Sequence, residues 1–186
     1  MTVRSRVILI NGVSSAGKGS LARALQAIAE TPFLHVQMDA FLEMLPAPMY
    51  GSPEGYVFET TLEDGKPVTA IHTGPVMARL MRGMRRSVAA LAAEGADVIV
   101  DDVMIWGDDF ADYRAVMAPF EFRAVGLTAP LQVVEERERR RGDRALGLAR
   151  WQYARVHQGI DYDLVIDNST ATPEACALRI KEAFGL

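Results

Sequence analysis

The residues with the clearest chemical meaning lie near the N-terminus, in the stretch NGVSSAGKGS from Asn11 to Ser20. Gly12, Gly17 and Lys18 have the spacing G-x-x-x-x-G-K, directly after an apolar run and directly before a helical pattern. Such a loop turns its backbone N–H groups toward phosphate oxygens, and the lysine ammonium reaches the β- and γ-phosphates of a nucleotide. The pattern predicts a nucleoside triphosphate site formed by Gly12, Val13, Ser14, Ser15, Ala16, Gly17, Lys18, Gly19 and Ser20.

One residue of this loop, Gly19, stands where a hydroxyl that binds Mg²⁺ is expected. Ser20 lies about 100° further round the helix, so its hydroxyl cannot simply take the vacant coordination position. We expect phosphates and water molecules to hold the Mg²⁺, with the waters hydrogen-bonded to Ser20 and to the acidic strand end VIVDD. In that strand end, either Asp101 or Asp102 can orient metal-bound water while the other faces the acceptor, and capping of the next segment is the alternative for each.

A third carboxylate, Asp39, follows the second apolar run in VQMDAFLEML. In open α/β sheets, ligands bind in the crevice beyond the carboxyl ends of the strands. Asp39 could therefore accept a proton from a substrate hydroxyl while that oxygen attacks the γ-phosphorus. The alternative is a helix N-cap for the segment Ala40 to Leu45, and the sequence leaves both open.

The basic segment EERERRRGDRALG, from Glu135 to Gly147, surrounds a Gly-Asp turn at the end of a helical pattern. It predicts a mobile basic lid, because the planar fork of arginine suits phosphate oxygens. The alternative is a solvated helix face, which we favour for Arg139 and Arg140, whereas Arg141 and Arg144 flank the turn and are better placed to act. The arginines of this segment are Arg137, Arg139, Arg140, Arg141 and Arg144.

Five short runs rich in β-branched residues predict the strands that position these groups. Helical patterns separate most of the runs, so we expect an α/β fold in which a five-stranded parallel sheet lies between two layers of helices. The runs are RVILIN (6–11), FLHVQM (33–38), DVIVDD (97–102), FRAVGL (122–127) and DLVIDN (163–168).

Residues 46–74 interrupt the alternation of strands and helices. Two alternating segments flank the turn signal Asp64-Gly65, which predicts a β-hairpin inserted after the second strand, on the acceptor side. Apolar residues around the insertion and after the third strand could form an acceptor pocket, or could equally be core: Met44, Met49, Tyr50, Tyr56, Phe58, Met104 and Trp106. We expect one domain over residues 1–186.

Composition excludes several classes of protein. The formal net charge of the 186 residues is −4, so the overall charge does not favour binding to nucleic acid. The single cysteine, Cys176, cannot form an internal disulfide, and the first apolar run is too short to span a membrane, so we expect a cytoplasmic protein. His35, His72 and His157 show no metal-ligand spacing and receive no chemical role.

The motifs quoted above, followed by VHQGIDYDLVIDN, resemble in order and spacing the chloramphenicol phosphotransferase family over nearly the whole chain. The resemblance implies a P-loop NTPase fold and transfer of the γ-phosphoryl group of ATP to a primary hydroxyl of a small molecule. It also implies that Asp39 is the general base, that Lys18 and the loop glycines hold the phosphates, and that Arg137, Arg141 and Arg144 are lid residues. Gly19 departs from the G-K-S usual in that family, although the order G-K-G-S resembles the G-K-G-T of adenylate kinases.

Two other functions stay open. The first is a kinase of a nucleoside, a shikimate-like compound or another metabolite, with antibiotic phosphorylation absent or incidental. The second is a regulatory module that binds a nucleotide without an acceptor, although the absence of an N-K-x-D guanine signature weakens its GTPase version.

Overall fold

The computed structural model of the chain describes residues 4–186. Seven strands lie within these residues: β1 (Arg6–Asn11), β2 (Phe33–Gln37), β3 (Tyr56–Glu63), β4 (Lys66–Thr73), β5 (Asp97–Asp102), β6 (Glu121–Thr128) and β7 (Leu164–Asp167). Seven α-helices accompany them: α1 (Lys18–Ile28), α2 (Met38–Leu42), α3 (Pro75–Ala93), α4 (Asp108–Met117), α5 (Leu131–Arg141), α6 (Leu148–Tyr153) and α7 (Pro173–Phe184).

Five of the strands form one parallel sheet in the order β2-β5-β1-β6-β7, and β3 pairs with β4 in a separate antiparallel hairpin. This confirms the α/β prediction and the five predicted strands to within one residue or two at each end. At the end of β2, Met38 begins α2 rather than ending the strand.

The two faces of the sheet alternate along each strand, as the period of two requires. Ile8, Ile10 and Ile99 pack in the core beneath α1 and α7. The residues between them pack in a second core beneath α3 and α4: Val7, Leu9, Val98 and Val100. The alternation decides which layer of helices the last residues of each strand face.

The helices that cover the sheet bury one apolar stripe each. In α3, Met77, Met81, Met84 and Val88 are buried, while Leu91 is only half-buried. The last helix, α7, is capped by Thr172, whose side chain accepts a hydrogen bond of 3.2 Å from the Ala175 N–H. None of the helices in residues 4–186 is long and apolar enough to cross a membrane.

The inserted hairpin turns at Asp64 and Gly65, where φ is 51° and 73°. Two positive φ angles in succession suit the Asp-Gly turn that the sequence predicts. The hairpin is fastened to the chain between α5 and α6, because Thr69 N–H donates to Gly147 O at 3.1 Å and Thr69 Oγ1 donates to Leu146 O at 2.6 Å. Hairpin and basic segment are therefore in direct contact.

Candidate active site

The loop between β1 and α1 has a backbone that its glycines make possible. A Cβ atom on Gly12 would lie 2.6 Å from the carbonyl oxygen of Leu127, so any side chain there would collide with β6. Gly17 has φ of 94°, a left-handed conformation that favours glycine. Ser15 also has positive φ, 61°, and its hydroxyl is buried without a hydrogen-bond partner among residues 4–186. Strain and an unsatisfied donor together indicate a site that a ligand completes.

Lys18 folds back over this loop. Its Nζ donates to the carbonyl oxygens of Gly12 and Val13 at 2.8 and 3.0 Å. Burial lowers the pKa of Lys18, while the nearby carboxylates of Asp101, Asp39 and Asp102 oppose that shift. The ammonium therefore lies at the centre of the candidate site, among the carboxylates that the sequence singled out.

A polar cavity of about 340 Å³ opens beside the loop, and we call it the phosphate cavity. It brings together residues from the loop, from the carboxyl ends of β2 and β5 and from the basic segment: Ser15, Gly17, Lys18, Gly19, Ser20, Arg23, Gln37, Asp39, Asp101 and Arg141. Most of the residues predicted for nucleotide and metal binding thus meet in one place. Arg23 and Gln37 were not predicted.

Asp101 is held in this cavity by a chain of hydrogen bonds from β2. Gln37 Nε2 lies 3.2 Å from Nδ1 of His35, and Nε2 of His35 lies 2.6 Å from Oδ2 of Asp101. Since an amide nitrogen can only donate, Nδ1 of His35 accepts, and the Nε2–H then donates to the carboxylate. Sequence reasoning missed His35 because the contact joins residues 66 positions apart.

The oxygen donors beside Gly19 fit a hard divalent cation. A Cβ on Gly19 would lie 3.7 Å from Oδ2 of Asp101, so this carboxylate faces the place where a P-loop hydroxyl would stand. Ser20 is exposed and lies 3.5 Å from a guanidinium nitrogen of Arg23. No group of three His, Cys, Asp or Glu residues within 4–186 could hold an ion alone. A Mg²⁺ here would take most of its ligands from phosphates and water, as it commonly does.

Asp39 lies in the first turn of α2, half-buried, and its carboxylate is paired with Arg144 of the basic segment. The N-cap position of α2 belongs to Gln37, so the capping alternative for Asp39 does not describe this helix. The pair joins the two groups that the sequence predicted as base and lid.

The other arginines of the basic segment have different surroundings. Arg137 donates to the backbone oxygen of Asn168 at 2.8 Å and to its side chain at 3.1 Å, which fastens α5 to the segment after β7 rather than freeing the guanidinium. Arg141 is paired with Asp143 at 3.0 Å and lines the phosphate cavity. Arg139 and Arg140 both pair with Glu136 on the solvated face of α5, as we expected of these two.

A second cavity, of about 500 Å³, lies on the other side of the strand ends, and we call it the apolar cavity. Its walls come from α2, β4, α3, the end of β5, α4 and α6: Met38, Leu42, Ile71, Thr73, Met77, Ala78, Met81, Arg82, Arg85, Asp102, Val103, Ile105, Trp106, Asp108, Asp109, Asp112 and Gln152. An apolar cavity of this size with a few polar groups is typical of small-molecule sites.

The residues for which the sequence left pocket and core open divide in the structure. Trp106 lines the apolar cavity, but Met104 is core at 2% exposure and Met44 is 64% exposed. Tyr50, Tyr56 and Phe58 instead form an edge-to-face aromatic row on the hairpin side. Helix α3 supplies five of the residues that line the cavity, among them Met77 and Met81.

Asp102 belongs to this second cavity, on the opposite face of β5 from Asp101. It is 3% exposed, and its carboxylate accepts hydrogen bonds from Tyr113 Oη at 2.8 Å and from Val103 N–H at 2.7 Å. Burial raises the pKa of Asp102 to about 6, against the lowering effect of the Tyr113 hydrogen bond. The structure thus separates the two carboxylates that the sequence left undivided.

Residues that are adjacent in the chain line the two cavities. Asp39 and Asp101 line the phosphate cavity, while their chain neighbours Met38 and Asp102 line the apolar one. Gln152, which the sequence did not single out, lines the apolar cavity and accepts a 2.7 Å hydrogen bond from the Ser14 N–H of the loop. A compound in the apolar cavity would therefore lie beside a phosphate held by the loop.

A parallel sheet with a glycine-rich phosphate loop after β1, and an adjoining cavity for a second compound, defines a phosphotransferase of the P-loop kinase type. Residues 5–185 match the family described as chloramphenicol phosphotransferase-like protein. The chain belongs to this family.

Proteins of known description agree with that membership. Two Mycobacterium tuberculosis proteins, from strains CDC 1551 and H37Rv, are provisionally named O-phosphotransferases. Each is 34% identical to this chain over 173 residues, which are 90% of this chain and 76% of the relative.

Among solved structures, the APS kinase of Mycobacterium tuberculosis with AMPPNP and APS has a TM-score of 0.68 at 18% identity, covering 99% of both chains. An unliganded sugar kinase from a Janibacter species has the same TM-score and identity, over 97% of this chain and 95% of its own. A tunicamycin resistance protein of Deinococcus radiodurans gives 0.63 at 18% identity, over 98% and 97%. At such identities these likenesses concern the fold.

Proposed function

We propose that the chain transfers the γ-phosphoryl group of ATP to a hydroxyl group of a small molecule in a Mg²⁺-dependent reaction, with chloramphenicol or a similar compound as the acceptor. The observation that carries the proposal is that residues adjacent in the chain, Met38 and Asp39 and also Asp101 and Asp102, line the two cavities at the carboxyl ends of β2 and β5. In-line transfer needs a nucleotide and an acceptor on adjacent sides of one phosphorus atom.

On the nucleotide side, the loop N–H groups and the Ser15 hydroxyl would bind phosphate oxygens. Lys18 would leave the carbonyls of Gly12 and Val13 for the β- and γ-phosphates, because a charged acceptor oxygen is the stronger partner. Asp101, oriented by His35, would hold water bound to Mg²⁺. The ion, when bound, neutralises charge on the phosphate oxygens.

On the acceptor side, Asp39 would take the proton of the attacking hydroxyl. Its carboxylate is paired with Arg144, so this pair must open first. A γ-phosphate offers Arg144 a more highly charged partner, and transfer of the guanidinium to it would release Asp39 at the moment the nucleotide is present. Arg141 already lines the phosphate cavity and would contribute a second guanidinium.

The test is Mg²⁺-dependent transfer from labelled ATP to chloramphenicol, to nucleosides and to shikimate-like hydroxyl compounds, with the product identified by mass. Lys18→Ala is the inactive control, and it must abolish any product assigned to the site. Phosphorylated chloramphenicol establishes the acceptor and a route to antibiotic resistance.

A product from another compound establishes the metabolite kinase instead. Tight binding of ATP with no product from any hydroxyl compound favours the regulatory module.

A further inference from the structure

The apolar cavity has one buried cation in its wall, Arg85, and that cation is already neutralised. Arg85 is 4% exposed; its Nε donates to Asp112 at 2.5 Å and its Nη1 to Asp109 at 3.1 Å. The guanidinium also lies over the Tyr113 ring, 5.5 Å from its centroid. A carboxylate, sulfate or phosphate on an incoming compound would have to displace two carboxylates to reach this group, so Arg85 does not offer an anion site.

The remaining charges favour the opposite sign. Four carboxylates line the cavity, those of Asp102, Asp108, Asp109 and Asp112, against the guanidinium groups of Arg82 and Arg85. Asp102 is the most deeply buried of the four, at 3% exposure. Arg86, from outside the lining, also pairs with Asp112, which leaves four carboxylates against three guanidinium groups. Because cavities with low-dielectric walls focus such fields, this excess of negative charge favours a cation over an anion inside.

The uncharged walls suit the same ligand. Trp106 lines the cavity and is 43% exposed, which leaves aromatic surface for an approaching group. Met38, Met77 and Met81 supply polarisable thioethers around it. An aromatic face near carboxylates is a recurring environment for alkylammonium ions, which it attracts through the ring quadrupole.

We propose that the acceptor taken by the apolar cavity is an amine-bearing, partly apolar alcohol, whose ammonium group lies among the cavity carboxylates and Trp106 while its hydroxyl points to Asp39. The inference rests on the proposed function for the hydroxyl and on the cavity itself for the ammonium. It excludes anionic acceptors such as shikimate-like acids, and it makes a neutral compound a weaker acceptor than its amine.

The test uses one skeleton in three charge states: 2-amino-1-phenyl-1,3-propanediol, its N-acetyl derivative and its N-succinyl derivative. Binding of each to the full chain is measured by calorimetry without nucleotide, and kcat/KM is measured with MgATP. The expected order is ammonium, then neutral, then anion. We expect at least about a tenfold difference in binding between the first and the last, since each carries a full charge of opposite sign into the same field.

Two variants locate the effect. Asp108→Asn removes a carboxylate from an exposed position at the mouth and should weaken binding of the ammonium compound about threefold, leaving the N-acetyl compound unchanged. Asp109→Asn removes one partner of Arg85 and should improve binding of the N-succinyl compound. The matched control is Glu94→Gln, the same loss of charge at an exposed residue after α3, at the amino end of β5.

The outcomes separate this inference from the proposed function. Binding in the expected order without phosphate transfer supports the amine site and contradicts the kinase. Phosphorylation of all three with the anion preferred, or with the ammonium compound last, supports the kinase and overturns the amine site. No binding of the ammonium compound at millimolar concentration, or equal effects of Asp108→Asn and Glu94→Gln, also overturns it.

Discussion

The phosphate cavity and the apolar cavity share the carboxyl edge of one sheet and differ in almost everything that lines them. The first is built from the glycines and backbone N–H groups of the loop after β1 and from charged side chains that include Lys18, Asp39, Asp101 and Arg141. The second is built from methionines and isoleucines, and two of its four carboxylates, Asp109 and Asp112, are paired with Arg85. One region is shaped by backbone conformation and the other by side-chain packing.

A single strand end divides the two regions. Successive side chains of a β-strand point to opposite faces, so Asp101 faces the layer that contains α1 while Asp102 faces the layer that contains α4. Two adjacent and chemically identical carboxylates thus have different surroundings. The alternation of side chains along a strand can therefore place one carboxylate in the phosphate cavity and its neighbour in the apolar cavity.

The largest effect is expected on the phosphate side. Lys18→Ala removes the buried ammonium at the centre of the phosphate cavity. We expect phosphate transfer to fall about 100- to 1000-fold, comparable with loss of a preorganised charge-stabilising donor. Steady-state transfer and calorimetric binding of ATP measure it. Lys66→Ala, at the hairpin tip, is the control, and equal activity of the two variants would contradict the assignment of this cavity to phosphates.

Asp39→Asn tests the boundary between the two regions. The amide cannot accept the hydroxyl proton, so kcat should fall roughly 100-fold while ATP affinity stays nearly intact. Transfer rate and ATP binding are measured as for Lys18→Ala. The control is Glu43→Gln, at the C-cap of the same helix. Unchanged turnover would leave Asp39 only as the partner of Arg144.

Separate substitutions of Asp101 and Asp102 test whether the two neighbouring carboxylates have different roles. Asp101→Asn should raise the Mg²⁺ concentration needed for half-maximal rate about tenfold, because the charged group that would hold the metal-bound water is lost. Asp102→Asn should leave that concentration unchanged and alter the acceptor KM instead. Mn²⁺ binding in the presence of ATP, followed by electron paramagnetic resonance, provides a readout independent of activity. A shared phenotype would contradict the division of labour.

The buried carboxyl also predicts a pH dependence of stability. The pKa of Asp102 is about 6 in the folded chain and near 3.9 when unfolded, so the folded state binds more protons between those values. Stability from this group is present below the unfolded pKa and is lost as pH rises through 6. Between pH 5 and 7.5 the parent chain should lose about 1 kcal/mol relative to Asp102→Asn, as measured by urea unfolding. Parallel pH profiles of the two proteins would contradict it.

The smallest effect concerns the loop position that lacks a hydroxyl. Gly19→Ser is sterically open, since the nearest side-chain atoms to its Cβ would be at 3.6 and 3.7 Å. If Asp101 and Ser20 already hold the waters of Mg²⁺, the affinity for the ion should rise only a few-fold. Gly19→Ala separates the hydroxyl from the added volume. A large gain would show that the parent site lacks a direct side-chain ligand that matters.

Much of the nucleotide side could be predicted because its signal is local. The glycine spacing, the strand before it and the helix after it are consecutive in the chain, and the loop from Gly12 to Ser20 folds as that pattern requires. The carboxyl ends of β2 and β5 could also be predicted, because short apolar runs are followed there by Asp39 and by Asp101 and Asp102. Roles for these residues stay predictions.

The acceptor side could not be predicted in the same way, because its residues meet only through packing. Arg85, Tyr113 and Gln152 come from three helices that no sequence spacing relates. His35 was given no role because its partner, Asp101, is on a different strand. Arg137 was predicted as a lid residue, and no sequence spacing indicated that it donates hydrogen bonds to Asn168 after β7.

The sequence by itself determined the order of strands and helices, the phosphate loop and the hairpin turn, since each depends on residues within a few positions of one another. Only the tertiary structure decided which carboxylate faces which cavity, which partner each arginine of the basic segment has, and which residues line the apolar cavity. These depend on which strands become neighbours and on the small differences in packing energy that select one arrangement of the helices.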